Sequence, residues 1–240
     1  MVPNLREILQ QEAGPLGLDL DEAALSGFDK FYELLVEANR QFNLTSLVSV
    51  EDVAVKHFLD SLLGLPVIRE KTGARLIDVG SGAGLPGLAL KLVLPDLRLV
   101  LLESARKKCN FMKDTARTLG LNGVEVVWGR AEDLAREPWH RGAYDFVVAR
   151  AVAEIRVLAE YCLPFLAVGG LFIAYKGPSA REEIEAAADA LRLLGGTVED
   201  IPEYQLPRGG RRRSLVCIRK TGRTPETYPR RPGTPKKKPL

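Results

Sequence analysis

The chain is 240 residues long, 46% of them apolar, with a formal net charge of +3. That size suits one large domain or a domain with an appendage, and that apolar share suits a folded core. There is no apolar run of about eighteen residues to form a membrane span, and three scattered cysteines with only two histidines support neither a disulfide framework nor a zinc site.

The first residues, MVPNLREILQQEAG, carry charges where a signal peptide needs an apolar run. A cytoplasmic, reducing environment is therefore expected. Residues up to 65 read as a helical extension. In 21–39, Leu25, Phe28, Phe31, Leu34, Leu35 and Ala38 recur at spacings of three and four, which predicts one buried stripe on a helix. Asp19 and Asp21 are candidate N-caps, and Asn39 and Asn43 suit the helix end. A second helix is predicted over 50–64.

From residue 74 the pattern changes. Short apolar runs at 74–79, 98–103, 123–128, 144–149 and 169–175 alternate with helical segments near 86–94, 104–119, 153–166 and 179–194. Continuous apolar runs suit strands buried on both faces, and the alternation predicts a parallel sheet covered by helices. Two further strands near 197–203 and 213–219, with no helix between them, predict an antiparallel edge. The expected fold is α/β: a Rossmann-like, doubly wound, mostly parallel seven-stranded sheet with an antiparallel edge strand, spanning 66–220. The helical extension (1–65) precedes it and a basic, proline-rich tail (221–240) follows.

The first strand runs into DVGSGAGLPG. Gly82, Gly84 and Gly87 match a dinucleotide fingerprint in the strand-to-helix setting that the motif requires. In open α/β sheets ligands bind beyond the carboxyl ends of the strands, so a nucleotide-like ligand is expected over Gly80, Gly82, Gly84 and Leu85. Glu103 ends the second strand about twenty residues on, where a carboxylate accepts from ribose hydroxyls. A nicotinamide dinucleotide and S-adenosylmethionine share that ribose, so Glu103 does not separate them. Asp78 points toward the second: a carboxylate sits badly beside a pyrophosphate and suits a sulfonium or an α-amino group. After the third strand, Ala131 and Glu132 are candidates to read the adenine edge. Arg150 ends the fourth strand facing the reaction zone, a candidate to hold the donor carboxylate or a guanine edge.

Taken together, these residues resemble class I S-adenosylmethionine-dependent methyltransferases, and more narrowly the RsmG family, also called glucose-inhibited division protein B. The resemblance is carried by Asn39-Arg-Gln-Phe-Asn-Leu-Thr45, His57-Phe-Leu-Asp-Ser-Leu62, the glycine loop, Ala131-Glu132, Arg150-Ala151, Tyr175-Lys-Gly177 and PRRPGTPKKKPL. It implies methyl transfer to N7 of one guanosine in 16S ribosomal RNA, with S-adenosylhomocysteine as product and no metal. Under it Gly80, Leu85, Ala131, Glu132 and Arg150 match cofactor-contacting positions. A nicotinamide-dependent oxidoreductase, or an RNA-binding protein with a vestigial pocket, are the rival readings.

The absences agree with such an acceptor. No Asn/Asp-Pro-Pro-aromatic motif follows the fourth strand. Cys109, Cys162 and Cys217 read as buried thiols, not as the nucleophile that pyrimidine C5 methylation requires. His57 reads as a packed histidine. Between Gln205 and Leu240 lie twelve of the 34 basic residues and one of the 31 acids, so the preceding body is acidic. Lys176, Arg208, Arg211, Arg212, Arg213, Arg230, Arg231, Lys236, Lys237 and Lys238 are the expected RNA contacts. Five prolines and little apolar content predict a tail that is extended or mobile until RNA orders it. The expected partner is 16S rRNA within the small ribosomal subunit or its assembly intermediate, with no membrane contact. No sequence seam suggests a dimer, so a monomer is expected.

Overall fold

A computed structural model describes residues 3–240, so the first two residues of the expected extension lie outside the described residues. Helix α1 (Leu5–Ala13) is closed at its start by a capping box between Asn4 and Glu7. Helix α2 (Glu22–Gln41) starts at Asp21, whose carboxylate accepts from the Ala24 N–H at 2.8 Å. Its buried face is the expected one, with Leu25, Phe28, Phe31 and Leu35 inside. Asn39 helps stop the helix through its side chain rather than a left-handed backbone: its Oδ1 accepts from the Leu44 and Thr45 N–H groups at 2.8 Å each. The next helix is continuous but changes pitch. It runs through α3 (Val50–Asp52), a π-helical segment (Val53–Leu59) and α4 (Asp60–Leu62). Short α5 (Leu65–Ile68) leads into the sheet.

Strands β1 (Arg75–Val79), β2 (Arg98–Glu103), β3 (Val124–Trp128), β4 (Tyr144–Arg150) and β5 (Leu166–Lys176) alternate with α6 (Gly87–Val93), α7 (Arg106–Thr118), α8 (Ala131–Leu134) and α9 (Ile155–Cys162). Then come α10 (Ala180–Ala186), α11 (Ala188–Leu194), β6 (Gly196–Asp200), β7 (Glu203–Gln205), β8 (Arg212–Lys220) and α12 (Thr234–Lys237). The sheet order is β3-β2-β1-β4-β5-β8-β6, with β7 also pairing β8. Strands β1 to β5 are parallel, and β8 is antiparallel to β5, β6 and β7. Seven strands were expected and eight form. The three-residue β7 is too short for its periodicity to register, and it exists because Glu203–Gln205 pairs with Ser214–Arg212.

Alternation along each strand divides the core between the two faces. Leu76, Leu99, Leu101, Phe146 and Ile173 join one cluster with α1, α2 and the pitch-changing helix. Ile77, Val100, Val147, Phe172 and Val216 join the other with α9 and α11. The amino-terminal helices are thus one covering layer of the sheet. All three cysteines are buried, and burial raises each thiol, Cys217 to about 12. None is a thiolate near neutrality.

The tail differs from the expectation of an extended or mobile segment. It lies against α9, with Thr224, Pro229 and Pro235 buried and Tyr228 and Leu240 packed on the second cluster. Its carbonyls are gripped from the domain. Arg141 donates to Thr224, Pro225 and Tyr228 oxygens at 2.9–3.1 Å, and Arg136 donates to those of Thr227 and Pro229. A proline-rich chain has few N–H donors but a full set of acceptors, and two arginines meet that need.

Candidate active site

Because β1 to β5 are parallel, their ends at Val79, Glu103, Trp128, Arg150 and Lys176 share one edge of the sheet. Strand order reverses between β1 and β4, so the crevice expected of this topology opens there. Two clefts meet at that edge. One, of about 90 Å³, lies over β1–β3 and is lined by Gly80, Glu103, Ser104, Ala131, Glu132 and Tyr161, among others. The second, of about 360 Å³, lies over β4–β5 and is lined by Lys56, His57, Asp60, Arg150, Lys176 and Arg213, among others. Val152 lines the first and Ala151 the second. A larger hollow of about 510 Å³ beside Arg141, Leu166 and Lys220 lies toward the opposite edge, away from the strand ends where this architecture binds ligands.

The first cleft is built by backbone. Gly80, Gly82 and Gly84 have φ of 75°, 60° and 83°, values that glycine adopts freely and L-residues resist. A side chain at Gly80 would put its Cβ 2.7 Å from the Val152 side chain. Glu103 holds this loop: its Oε2 accepts from the Gly82 N–H at 3.0 Å and its Oε1 from the Ala105 N–H at 2.8 Å. Leu85 is buried behind the loop. Asp78 is fully buried. One oxygen accepts from the Gly87 N–H at 2.8 Å, and Oδ1 has no partner among the described residues. Burial pushes its carboxyl up to about 7, against the opposing pull of that N–H and of the Arg150 charge. Glu132 is buried at the start of α8. Tyr161 of α9 faces it, and burial, with the neighbouring Glu132 charge, pushes the Tyr161 hydroxyl up to about 12.

The second cleft is basic and its groups are already paired. Buried Asp60 bridges two guanidiniums: Oδ2 accepts from Arg150 at 3.1 Å and Oδ1 from Arg213 at 2.9 Å. Arg150 also donates to the carbonyls of Lys56 and His57 at 3.3 and 3.2 Å. The π-helical segment carries both of those residues. His57 Nε2 pairs with Thr45 Oγ1 at 2.9 Å. Burial and the Arg150 charge lower its imidazole to about 4, so it is neutral near pH 7. Tyr175 donates to the Ser61 carbonyl at 2.7 Å, with its hydroxyl pushed up by burial. Lys176 donates to Glu183 and to the Ala153 carbonyl. Next to Arg150, Ala151 holds a φ of 56°, a strained value for alanine that turns the chain between the clefts.

The remaining basic candidates divide. Arg208 pairs with Glu12 and Glu51, Arg212 faces Glu203, and Arg230 is locked to buried Glu160. Arg211, Arg231, Lys236, Lys237 and Lys238 are exposed and make no ion pair among the described residues. Sequence reasoning does not single out Asp60, Lys56, Ala151 or Tyr161 as site residues. Asp60 and Lys56 flank or sit within the HFLDSL run, the one signal that could have found them.

A Rossmann-like sheet with a glycine loop and an acid at the next strand end defines a domain that binds an adenosine-bearing ligand, and the family match assigns this one to the S-adenosylmethionine-dependent methyltransferases. Among solved structures the fold is shared with precorrin-6y C5,15-methyltransferase from Geobacter metallireducens, at a TM-score of 0.51 and 14% identity, over 75% of this chain and 92% of that one. The family model GidB, rRNA small subunit methyltransferase G, matches residues 24–216. The chain is 50% identical over 236 residues to ribosomal RNA small subunit methyltransferase G of Pelotomaculum thermopropionicum, covering 98% of this chain and 99% of that protein. It is 47% identical to the protein of the same name from Symbiobacterium thermophilum, over 98% of each. The chain belongs to the rRNA small subunit methyltransferase G (GidB) family.

Proposed function

We propose that this enzyme transfers the methyl group of S-adenosylmethionine to N7 of one guanosine in the 16S rRNA of the small ribosomal subunit. The donor lies in the cleft over β1–β3 and the target base enters the basic cleft over β4–β5. The unpartnered Asp78 oxygen, the side-chain-free surface at Gly80 and the Glu103 carboxylate support an adenosyl ligand with a cationic end. In this reading Glu103 accepts from the ribose hydroxyls, Ala131 and Glu132 border the base, Asp78 lies under the amino-acid end, and Arg150, in the neighbouring cleft, is shared between that end and the target base. Gly82, Gly84 and Leu85 keep the loop shape that lets backbone approach the ligand.

The observation that carries the acceptor assignment is that the groups of the second cleft that could take a proton are committed elsewhere. Asp60 is held by two arginines, His57 is neutral and bonded to Thr45, and Lys176 is tied to Glu183. The cysteine thiols are buried and un-ionised. Such a cleft suits an acceptor that needs no deprotonation. Guanine N7 has an in-plane lone pair and no proton. When bound, S-adenosylmethionine supplies an electrophilic methyl group, which the lone pair takes as the C–S bond breaks and its electron pair goes to sulfur. The residues then contribute alignment and water exclusion. Arg150 and Arg213, neutralised only in part by Asp60, hold the base edge or its phosphate. Exposed Arg231 and Lys236–Lys238 supply salt-sensitive backbone contacts.

The test is methyl transfer from labelled donor to small subunits lacking their native modifications, followed by strand cleavage selective for 7-methylguanosine. One labelled, cleavable guanosine is expected. Label that resists this cleavage contradicts the N7 assignment.

A further inference from the structure

The carboxy-terminal segment reads from its composition as an RNA-binding tail, yet two of its residues bond to Glu132 in the wall of the donor cleft and to Glu160, the neighbour of a second wall residue. Arg230 meets Glu160 of α9 through two parallel contacts, Nε to Oε1 at 3.0 Å and Nη2 to Oε2 at 2.6 Å, and its backbone N–H donates to Oε1 at 2.6 Å. Glu160 has no solvent exposure, and a buried carboxylate is tolerated only when so paired. The next residue in α9, Tyr161, lines the donor cleft. Three residues beyond Arg230, the Gly233 N–H donates to Glu132 Oε1 at 2.9 Å. Glu132 is itself a lining residue of that cleft and almost fully buried. Gly233 has a φ of 82°, so a glycine is what lets the tail present that N–H at the Glu132 carboxylate.

We propose that Arg230 and Gly233 are positioning residues for the donor site. Gly233 fixes the Glu132 carboxylate, and Arg230, through Glu160, fixes the α9 turn that carries Tyr161. The tail thereby sets affinity for the methyl donor as well as meeting RNA. This inference rests on the reading that the cleft over β1–β3 holds S-adenosylmethionine.

The test uses the full chain, with S-adenosylhomocysteine binding by calorimetry and the KM and kcat of methyl transfer measured together. Arg230→Ala is expected to weaken S-adenosylhomocysteine at least tenfold, and adding Glu160→Gln to recover much of that loss by removing the stranded charge. Gly233→Ala has open space for its Cβ and changes only the turn, so about a threefold loss is expected. In Gly233→Ala, KM for the donor rises by the same factor while kcat at saturating donor is retained. Glu103→Ala is the control. If Glu103→Ala weakens the ligand but both tail variants bind within twofold of the parent, the positioning role is wrong, even if Arg230→Ala melts earlier. A fall in kcat with unchanged donor KM also overturns it. If Glu103→Ala itself has no effect, the donor-site reading fails and this inference with it.

Discussion

The two clefts at the carboxyl edge of the sheet are built in opposite ways. Over β1–β3 the walls are largely backbone with two carboxylates, Glu103 and Glu132, and one cation, Arg130, while Asp78 lies fully buried beneath the glycine loop. Over β4–β5 the walls are cations, Lys56, Arg150, Lys176 and Arg213, with one buried carboxylate between two of them. A nucleoside with a positive end suits the first and a polyanion suits the second. The junction is two residues long, Ala151 and Val152. Charge thus differs by cleft, with Arg150 the group shared between them, so Glu103 on one side and Lys56 and Arg213 on the other can be disturbed separately.

The largest expected effect comes from breaking the basic side. Arg150→Ala leaves Asp60 with one partner in a buried setting, which costs stability of about 3 kcal/mol. Methyl transfer to small subunits is expected to fall by more than a hundredfold, followed with labelled donor. Arg150→Lys, which keeps charge but not the forked geometry, should recover only part of the rate. Next is Glu103→Ala on the acidic side. It removes a charged acceptor and releases Gly82 and Ala105, so S-adenosylhomocysteine should bind about 10–100-fold more weakly, while RNA affinity by filter binding stays the same.

Asp78 sharpens the comparison through pH. Its carboxyl stands at about 7 in the folded chain against 3.8 ordinarily, so the folded state holds a proton that the unfolded state gives up. The resulting penalty is absent below about pH 4, grows as pH rises and is complete above about 7. Asp78→Asn should therefore raise the melting temperature of the ligand-free protein at pH 8 by roughly 5 °C, with little change at pH 4. A cationic ligand end favours the ionised carboxylate, so S-adenosylmethionine should bind more tightly to the parent as pH climbs from 6 to 8. The Asn variant should bind it weakly at both. The smallest effect is expected in the tail: neutralising Lys236, Lys237 and Lys238 together should lower the salt slope of RNA binding by about one for each phosphate that the lysines no longer neutralise.

How much of this was legible in the sequence follows from how far apart the parts lie along the chain. The donor cleft is written in two local signals, the glycine run and Glu103, and β1 and β2 place both at one edge by register alone. The basic cleft draws on residues 56, 57, 60, 150, 176 and 213, which only the folded sheet brings together. From sequence Arg150 and Lys176 are legible as strand-end residues and Arg213 as part of a basic cluster, but their convergence with Lys56, His57 and Asp60 is not. Residues 50–64 read as an ordinary helix, because periodicity does not reveal the π-helical segment whose Lys56 and His57 carbonyls accept from Arg150. The tail misleads most. Its proline and lysine content describes a solvated chain, but Arg141, Arg136 and the buried Glu160 supply specific polar partners that composition cannot register.

The separation of the two clefts is tested most directly by titrating S-adenosylhomocysteine into the Lys56→Ala/Arg213→Ala double variant in the calorimeter, with methyl transfer to small subunits measured on the same preparation. Ligand affinity within about threefold of the parent is expected, with transfer reduced at least tenfold. Affinity and transfer falling together would contradict that separation, since the basic cleft would then be part of the donor site.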